Sequence, residues 1–190
     1  VVIDGEIPQE LKDYVFSLAE KTPSLYTIVP LEKNMGLGLA LREGMEYCRN
    51  EIVARMDTDD ICELDRCEKQ LKIFEEDKSV SVVGSNIEEF IGTVDNAVGQ
   101  RIVPERHEDI CEYLKKRCPF NHMTVMFKKS EIEKAGGYMD WHYNEDSYLW
   151  VRTYLAGCRF YTIQENLVHA RVGEEMYARR GGYTYFKSEK

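Results

Sequence analysis

The first 76 residues repeat one order of segments three times, and this repetition constrains the fold more than any other feature of the sequence. Short apolar segments at 1–3, 25–29 and 52–56 are predicted strands, and each is followed by a segment with apolar residues at helical spacing. Alternation of strand and helix favours an α/β fold with a mostly parallel sheet and helices on its faces. In such sheets, ligands bind near the carboxyl ends of the strands. Functional residues are therefore expected directly after the predicted strands.

The second half of the sequence has a different pattern. Segments 87–91 and 98–103 flank a polar turn at 93–96, which predicts a small antiparallel ribbon. The sequence contains no recognisable linker, and it contains no internal repeat of residues, since only the order of strand and helix recurs. We therefore predict a single domain that covers residues 1–190.

A cluster of three aspartates follows the third predicted strand. In an extended chain, side chains alternate between two faces, so Asp57 and Asp59 point the same way. Two like charges this close oppose folding unless a cation lies between them, and Mg²⁺ or Mn²⁺ prefers carboxylate oxygen. The same acids, with Asp60 as the cap, would also suit the start of a helix predicted at 64–76. The spacing leaves a metal site and a helix start as equal alternatives.

Charge and cysteine content exclude several classes of protein. The net charge of −9 argues against non-specific binding of nucleic acid, which needs a basic surface. No apolar run approaches the roughly 20 residues that a membrane-spanning helix requires. The six cysteines show neither a CxxC motif nor a metal-ligand spacing, which is typical of reduced thiols in a cytosolic protein. We therefore expect a cytoplasmic protein without a nucleic-acid partner.

Eight short motifs occur in order along nearly the whole chain. They are Val2-Ile3-Asp4-Gly5, Asn34-Met35-Gly36-Leu37-Gly38-Leu39-Ala40, Ala54-Arg55-Met56-Asp57-Thr58-Asp59-Asp60, Asp65-Arg66-Cys67-Glu68-Lys69-Gln70, Pro119-Phe120-Asn121-His122-Met123-Thr124-Val125, Ala135-Gly136-Gly137-Tyr138, Glu145-Asp146-Ser147-Tyr148-Leu149-Trp150-Val151-Arg152 and Arg171-Val172-Gly173. With these motifs the chain resembles the family 2 glycosyltransferases of the GT-A fold, in particular bacterial enzymes of exopolysaccharide (amylovoran-type) biosynthesis. The resemblance implies a GT-A catalytic domain with a nucleotide-binding half at 1–78 and an acceptor-side half at 79–190.

The resemblance also implies a donor site at the strand ends. Asp57 would face the ribose, and Asp59 would hold Mn²⁺ or Mg²⁺, whose charge would stabilise the departing diphosphate. Asp4 would contact the nucleobase, although its residue type suits a turn before Gly5 equally well. Asn34 and Gly36 belong to a loop at 34–38, the glycine loop, which would lie near the nucleotide. The alternative for this loop is a helix start that needs no ligand. The cofactor-binding residues predicted in this way are Asp4, Asn34, Gly36, Asp57, Asp59 and Arg171, and the metal ligands are Asp59 and Asp57. The planar guanidinium of Arg171 would contact the diphosphate.

The Glu-Asp motif implies the catalytic base. In inverting family members the aspartate takes the proton of the acceptor hydroxyl, so Asp146 is the predicted base and Glu145 the second candidate. Without the resemblance, both acids would also suit the first turn of a helix after Asn144. The predicted substrate contacts are Asn121, His122 and Trp150. For the histidine and the tryptophan, a structural role in the core is the alternative.

One departure from the family pattern concerns the sheet. Family members begin with a strand and a helix before the Asp-Gly strand, and this sequence begins at that strand. By resemblance, the missing strand would lie between 1–3 and 52–56, and its absence would leave strand edges exposed. We therefore expect an N-terminally incomplete domain.

These expectations combine into one function and two alternatives. We expect an inverting, metal-dependent transfer of a sugar from a nucleotide-diphosphate donor, with UDP as the expected nucleotide. The expected acceptor is a saccharide or a lipid-linked sugar in surface polysaccharide synthesis. A sugar-phosphate nucleotidyltransferase and an inactive carbohydrate-binding remnant are the alternatives. The basic, aromatic tail at 177–190 suggests peripheral contact with the inner face of the plasma membrane.

Overall fold

The computed structural model describes residues 1–173, and within them it contains eight strands, six α-helices and one short 3-10 helix. The strands are β1 (Val2–Asp4), β2 (Val29–Leu31), β3 (Ile52–Ala54), β4 (Ile61–Cys62), β5 (Val80–Phe90), β6 (Ala97–Arg101), β7 (Met126–Lys128) and β8 (Arg159–Arg171). The helices are α1 (Gln9–Lys21), α2 (Leu37–Glu46), α3 (Arg66–Glu76), α4 (His107–Leu114), α5 (Lys129–Lys134) and α6 (Glu145–Leu155), and the 3-10 helix is His122–Thr124. None of these helices is both long and apolar enough to cross a membrane. The tail at 177–190, for which we predicted membrane contact, lies outside the described residues.

The strands form two sheets. β1 and β2 pair in parallel, with Ile3 opposite Pro30. The larger sheet has the order β3–β7–β5–β8–β4, and β6 also pairs with β5. In this sheet β5 and β8 are parallel, whereas the pairs β3–β7, β5–β7, β4–β8 and β5–β6 are antiparallel. The predicted combination of strands and helices is present, but the larger sheet is mixed in the described residues rather than mostly parallel.

The mixed strand directions arise from the choice of neighbours. Alternation along the chain predicts the order of strands and helices, but it does not determine which strands become adjacent. β1 and β2 pair with each other, and β3 pairs with β7 from the second half of the chain. β6 returns along β5 after a turn at 91–96, which confirms the predicted antiparallel ribbon.

Strand β2 lies later in the sequence than predicted. It covers Val29–Leu31 instead of 25–29, and it includes Pro30. Proline lacks the N–H group that a central strand needs, so it is tolerated where a strand pairs on one side. Within residues 1–173, β2 pairs with β1 and with no other strand, which accommodates the proline.

The core lies on β5 and β8, the two longest strands. The sequence also predicts a strand at 80–83, and the structure joins this segment and the one at 87–91 into the single strand β5. The ring of Phe120 lies edge-on to Trp150 of α6 at 5.0 Å and to Phe160 of β8 at 5.5 Å. Edge-to-face contacts of this kind are favourable for aromatic rings. They fix α6, which carries the Glu-Asp motif, against the sheet.

A cavity of about 550 Å³ separates the two sheets. Val2 of β1 lines one side, and Val53 of β3 and Phe127 of β7 line the other. In the described part of the chain, β1 pairs with β2 alone and β3 with β7 alone, so each has one edge without a strand partner there. The strand edges expected between 1–3 and 52–56 are therefore present.

Candidate active site

Acidic residues from both halves of the chain meet in one cavity. It has a volume of about 740 Å³. Asp57 and Asp59, which follow β3, line it together with Glu145 and Asp146 at the start of α6. The N-terminus of α2 and the loop 140–144 form its other walls. The cavity therefore brings together the predicted metal ligands and the predicted base, as a single active site requires.

Asp57, Asp59 and Asp60 form an acidic cluster in which three carboxylate oxygens, one from each residue, lie within 4.8 Å of one another. One oxygen of Asp60 accepts a hydrogen bond from the backbone N–H of Arg171 at 2.8 Å. The other is buried and has no hydrogen-bond partner among the described residues. Burial, together with the charges of Asp57 and Asp59, raises the pKa of Asp60 to about 6. A divalent cation would relieve this repulsion and satisfy the buried oxygen, so the cluster fits Mg²⁺ or Mn²⁺.

The helix-cap alternative for Asp60 is wrong. Helix α3 begins at Arg66 after Asp65, and the short strand β4 lies between Asp60 and that helix. The helix predicted at 64–76 is present, with its start two residues later than expected. Asp60 instead connects the acidic cluster to the end of β8 through its hydrogen bond with Arg171.

Arg55 holds Asp57 from the interior of the protein. Its two terminal nitrogens contact the two carboxylate oxygens of Asp57 at 2.5 and 2.9 Å, which is a bidentate pair. Arg55 is 7% exposed, whereas a third of the Asp57 side chain is exposed. The buried Arg66 donates to the carbonyl oxygen of Arg55 at 2.7 Å. Two buried arginines thus fix the segment that leads into the acidic cluster.

Arg171, which we predicted to contact the diphosphate, lies beside the acidic cluster. Its Nε donates to the carbonyl oxygen of Asp59 at 3.1 Å, and a terminal nitrogen donates to that of Gly92 at 2.5 Å. Its guanidinium also lies 4.6 Å from the centre of the Phe90 ring. Arg171 therefore anchors the aspartate loop, and its contact with a diphosphate stays a prediction.

Asp4 organises the glycine loop that precedes α2. Its two carboxylate oxygens accept hydrogen bonds from the backbone N–H groups of Met35 and Gly36 at 2.7 and 3.0 Å. The side-chain oxygen of Asn34 accepts a further hydrogen bond from Gly36 at 3.1 Å. Gly36 has a φ of +85°, a region that favours glycine. Asp4 and Asn34 thus hold the loop, while their contact with a nucleotide stays a prediction.

Gly38 allows a close approach between α2 and the loop before α6. A Cβ atom at this position would lie 2.5 Å from the carbonyl oxygen of Met139 and 3.1 Å from the Cβ of Glu145. Backbone atoms in a packed structure cannot yield as the end of a flexible side chain can. An alanine here would therefore push two walls of the cavity apart.

Glu145 and Asp146 occupy the first turn of α6, as both interpretations of the Glu-Asp motif require. Burial raises the pKa of Glu145, whereas Asp146 is half-buried on the cavity. The Sγ of Cys118 donates to a carboxylate oxygen of Asp146 at 3.2 Å. Burial, and then the charge of Asp146, raises the pKa of Cys118 to about 12, so the thiol keeps its proton. Cys118 is therefore a hydrogen-bond donor to the predicted base.

Three predicted substrate contacts lie in the interior instead of on the cavity. Trp150 and Asn121 are 0% exposed, and His122 is 8% exposed. Trp150 belongs to the aromatic core, and the side-chain nitrogen of Asn121 donates to the carbonyl oxygen of Ser85 at 2.9 Å. His122 forms a hydrogen bond with the hydroxyl of Tyr138 at 2.9 Å. This burial suits the structural roles considered for Trp150 and His122, and substrate contact by the three residues stays a prediction.

Residues of the site that were not among those predicted include Arg55, Cys118 and Trp141. Arg55 lies two positions before Asp57 in an extended segment, and this spacing is a signal that would have identified it. Cys118 and Trp141 carry no comparable signal, because their contacts depend on how distant segments pack. Trp141 lines the cavity and is 40% exposed.

Both the sequence and the fold are similar to those of glycosyltransferases. The sequence model of glycosyl transferase family 2 matches residues 1–133. The chain is 39% identical over 191 residues to the amylovoran biosynthesis glycosyltransferase AmsE of Erwinia amylovora, with 100% of this chain and 70% of that protein covered. It is 37% identical over 193 residues to a UDP-Gal:alpha-D-GlcNAc-diphosphoundecaprenol beta-1,3-galactosyltransferase of Escherichia coli, with 100% and 68% covered.

A similar solved structure is that of the mannosyltransferase PcManGT from Pyrobaculum calidifontis in complex with GDP-Man and Mn²⁺, with a TM-score of 0.65. The superposition covers 100% of this chain and 59% of that chain, at 19% sequence identity. This chain thus spans little more than half the length of the solved protein. At this level of identity the likeness concerns the fold, and it confirms the predicted GT-A type of α/β fold.

Proposed function

The chain belongs to glycosyl transferase family 2, and we propose that it transfers a sugar from a UDP-linked donor to a saccharide or lipid-linked acceptor, with inversion at the anomeric carbon. We further propose that the reaction contributes to the synthesis of a surface polysaccharide. Support comes from the two similar proteins, since one is named for amylovoran biosynthesis. The other is named for UDP-Gal as donor and for an acceptor sugar on diphosphoundecaprenol.

The acidic cluster is the proposed metal site. Asp59 and Asp57 are the proposed ligands of Mn²⁺ or Mg²⁺, and the partnerless buried oxygen of Asp60 in the described chain supports this assignment. A bound divalent ion would neutralise charge on the diphosphate as it leaves. Because Arg55 already contacts both oxygens of Asp57, we propose Asp59 as the principal ligand and Asp57 as the group that faces the ribose.

Asp146 is the proposed general base, and Glu145 is the second candidate. In a single displacement, the acceptor oxygen forms a bond to the anomeric carbon while the bond from that carbon to the diphosphate breaks. The proton of the acceptor hydroxyl passes to the carboxylate, and UDP leaves with the electron pair of the broken bond. The hydrogen bond from Cys118 orients Asp146. Burial disfavours the ionised form of Glu145, which favours Asp146 for this role.

The glycine loop before α2 is the proposed nucleotide contact, through Asp4, Asn34 and Gly36. Gly36 lines the cavity, and α2 begins directly after it. The first N–H groups of a helix are free to bind anions, which supports a nucleotide phosphate near this end of α2. Arg171 is the proposed contact of the diphosphate.

The two halves of the domain have different proposed roles. Residues 1–78 supply the acidic cluster and the glycine loop, so we propose them as the nucleotide-binding half. Residues 79–190 supply the Glu-Asp motif and are the proposed acceptor-side half. A lipid-linked acceptor would bring the protein to the cytoplasmic face of the membrane as a peripheral protein.

One observation carries the proposal: a single cavity joins Asp57 and Asp59 with Glu145 and Asp146. The test is donor hydrolysis or sugar transfer by the complete reading frame, measured as release of UDP with and without Mn²⁺. Asp59→Ala and Asp146→Asn should each lower the rate by about a hundredfold or more. A chelator should abolish the activity.

A matched acidic control is Asp109→Asn, on the exposed side of α4 and outside the residues that line the cavity. It should keep the wild-type rate. Release of pyrophosphate from UTP and a sugar phosphate, instead of UDP from a UDP-sugar, would favour the nucleotidyltransferase alternative. Activity that survives either active-site substitution, or the chelator, would contradict the mechanism.

A further inference from the structure

We propose that the indole of Trp141 is a stacking platform for a pyranose ring of the acceptor. Trp141 lies in the loop before α6 and lines the same cavity as Asp146. The inference rests on the proposed sugar transfer and adds to it the chemical class that the acceptor side of the cavity recognises. That class is a sugar ring with a face of C–H bonds, rather than a simple alkyl alcohol.

The indole contacts Tyr148, and Tyr148 in turn contacts Arg152. The rings of Trp141 and Tyr148 lie 4.6 Å apart, with an angle of 33° between their planes. The guanidinium of Arg152 lies 4.6 Å from the centre of the same Tyr148 ring. Arg152 in turn donates to the carbonyl oxygens of Ala135 and Gly137, both at 2.7 Å. The indole thus lies against a ring whose other neighbour, Arg152, is hydrogen-bonded to the backbone. This support lowers the entropic cost of binding a ligand on the indole.

The cavity side of this loop presents aromatic surface. Trp141 is 40% exposed and Tyr143 is 37% exposed, and both line the cavity. Tyr143 has a φ of +71°, which non-glycine residues rarely adopt. Such conformations persist where the surrounding packing enforces them, and they concentrate at ligand sites. The loop therefore holds large aromatic side chains towards the cavity at a cost in backbone energy.

Aromatic surface beside carboxylates suits a sugar. The face of an aromatic ring carries partial negative charge, so it attracts the polarised C–H bonds on the apolar face of a pyranose. The hydroxyl groups around the edge of the same ring can donate to the carboxylates of Glu145 and Asp146, which line the same cavity. An alkyl alcohol would use the aromatic surface, but its single hydroxyl could donate to only one of these carboxylates.

The position of the platform favours the acceptor over the nucleobase. Tyr148, which supports the indole, lies on the first turns of α6, two residues after Asp146. The ring that supports the platform and the proposed base therefore belong to one element. The loop proposed to contact the nucleotide is organised instead by Asp4, on β1. A ring stacked on Trp141 would thus lie on the side of the cavity from which the attacking hydroxyl comes.

The test uses methyl β-D-glucoside, methyl β-D-galactoside and methyl N-acetyl-β-D-glucosaminide as probes. Their binding to the complete protein, in the presence of UDP and Mn²⁺, is measured by saturation-transfer difference NMR and by titration calorimetry. Trp141→Ala should weaken glycoside binding about tenfold or more, and Trp141→Phe, which keeps a smaller ring, should weaken it less. Tyr154→Ala removes a similarly exposed ring from α6 outside the residues that line the cavity, and it should leave glycoside binding unchanged.

Two outcomes on the glycoside side would overturn the inference. Wild-type protein that binds none of the three glycosides is one, and Trp141→Ala that binds them as tightly as wild type is the other. An equal loss of UDP affinity in Trp141→Ala would also overturn it, because the indole would then belong to the nucleotide site. Hydrolysis of the UDP-sugar tests the transfer separately. Glycoside binding through Trp141 without hydrolysis would support the platform and remove the proposed function.

Discussion

Replacing His122 with glutamine removes a histidine that the fold holds neutral in its interior. Burial, with a smaller contribution from the charge of Arg55, lowers the pKa of His122 from its ordinary value of 6.5 to about 3. In the unfolded chain the imidazole has its ordinary pKa. Between these two values the unfolded state therefore binds more protons than the folded state. The free energy of unfolding consequently rises with pH through this window and falls on acidification.

The size of the effect follows from the two pKa values. A pH of 5 lies about 1.5 units below the unfolded pKa, and each unit corresponds to about 1.4 kcal/mol. His122 should therefore lower the free energy of unfolding by about 2 kcal/mol at pH 5 relative to pH 8. His122→Gln should lack this component. It should also be less stable than wild type at pH 8 by about 1–3 kcal/mol, because Tyr138 loses its buried partner.

Equilibrium unfolding in urea, followed by circular dichroism at the two pH values, measures both quantities. The exposed His142 provides the matched control His142→Gln, which retains His122 and should keep the wild-type loss of stability on acidification. If His122→Gln loses as much stability between the two pH values as wild type does, the reasoning is refuted. His122 would then not be the buried neutral group described above.

Substitutions at three further positions test the geometry of the site. Gly38→Ala should lower UDP release about tenfold and the free energy of unfolding in urea by about 1–3 kcal/mol, because its Cβ would meet the carbonyl oxygen of Met139. Arg55→Met should lower UDP release, and it should lower the free energy of unfolding in urea by about 1–3 kcal/mol. This loss is smaller than that for breaking a fully buried ion pair, because a third of the Asp57 side chain is exposed. Arg55→Lys should release UDP faster and be more stable than Arg55→Met, but it should not reach wild type in either property, since an ammonium group lacks the planar fork. Cys118→Ala should lower kcat for donor hydrolysis about fivefold, whereas Cys118→Ser keeps a hydrogen-bond donor and should retain most of the rate. Equal rates for these two variants would contradict the orienting role of Cys118.

The parts of the site that could be predicted from the sequence have local causes. Asp57 and Asp59 follow a short apolar strand, and the alternation of side chains places them on one side without knowledge of the tertiary structure. The ribbon formed by β5 and β6 was predictable for the same reason, since a polar turn separates two apolar segments. The acids at the start of α6 also mark a helix start directly.

The remaining features depend on contacts between distant segments. Apolar spacing places Trp150 on one face of α6, but it does not say whether that face meets the core or a ligand. The hydrogen bond from Cys118 to Asp146 joins positions 28 residues apart and exists because α6 packs over the sheet. The pairing of β3 with β7 likewise cannot be derived from either strand alone. For this reason the sequence predicts the acidic cluster, whereas the surroundings of the cluster depend on the tertiary structure.

Binding of Mn²⁺ tests most directly the claim that one side of the cavity holds the metal and the other supplies the base. Electron paramagnetic resonance of free Mn²⁺, recorded with UDP present, measures this binding for wild type, Asp59→Ala and Asp146→Asn. We predict that Asp59→Ala loses Mn²⁺ binding, and that Asp146→Asn keeps it although sugar transfer is lost. Wild-type Mn²⁺ affinity in Asp59→Ala, or loss of Mn²⁺ binding in Asp146→Asn, would contradict this division of roles.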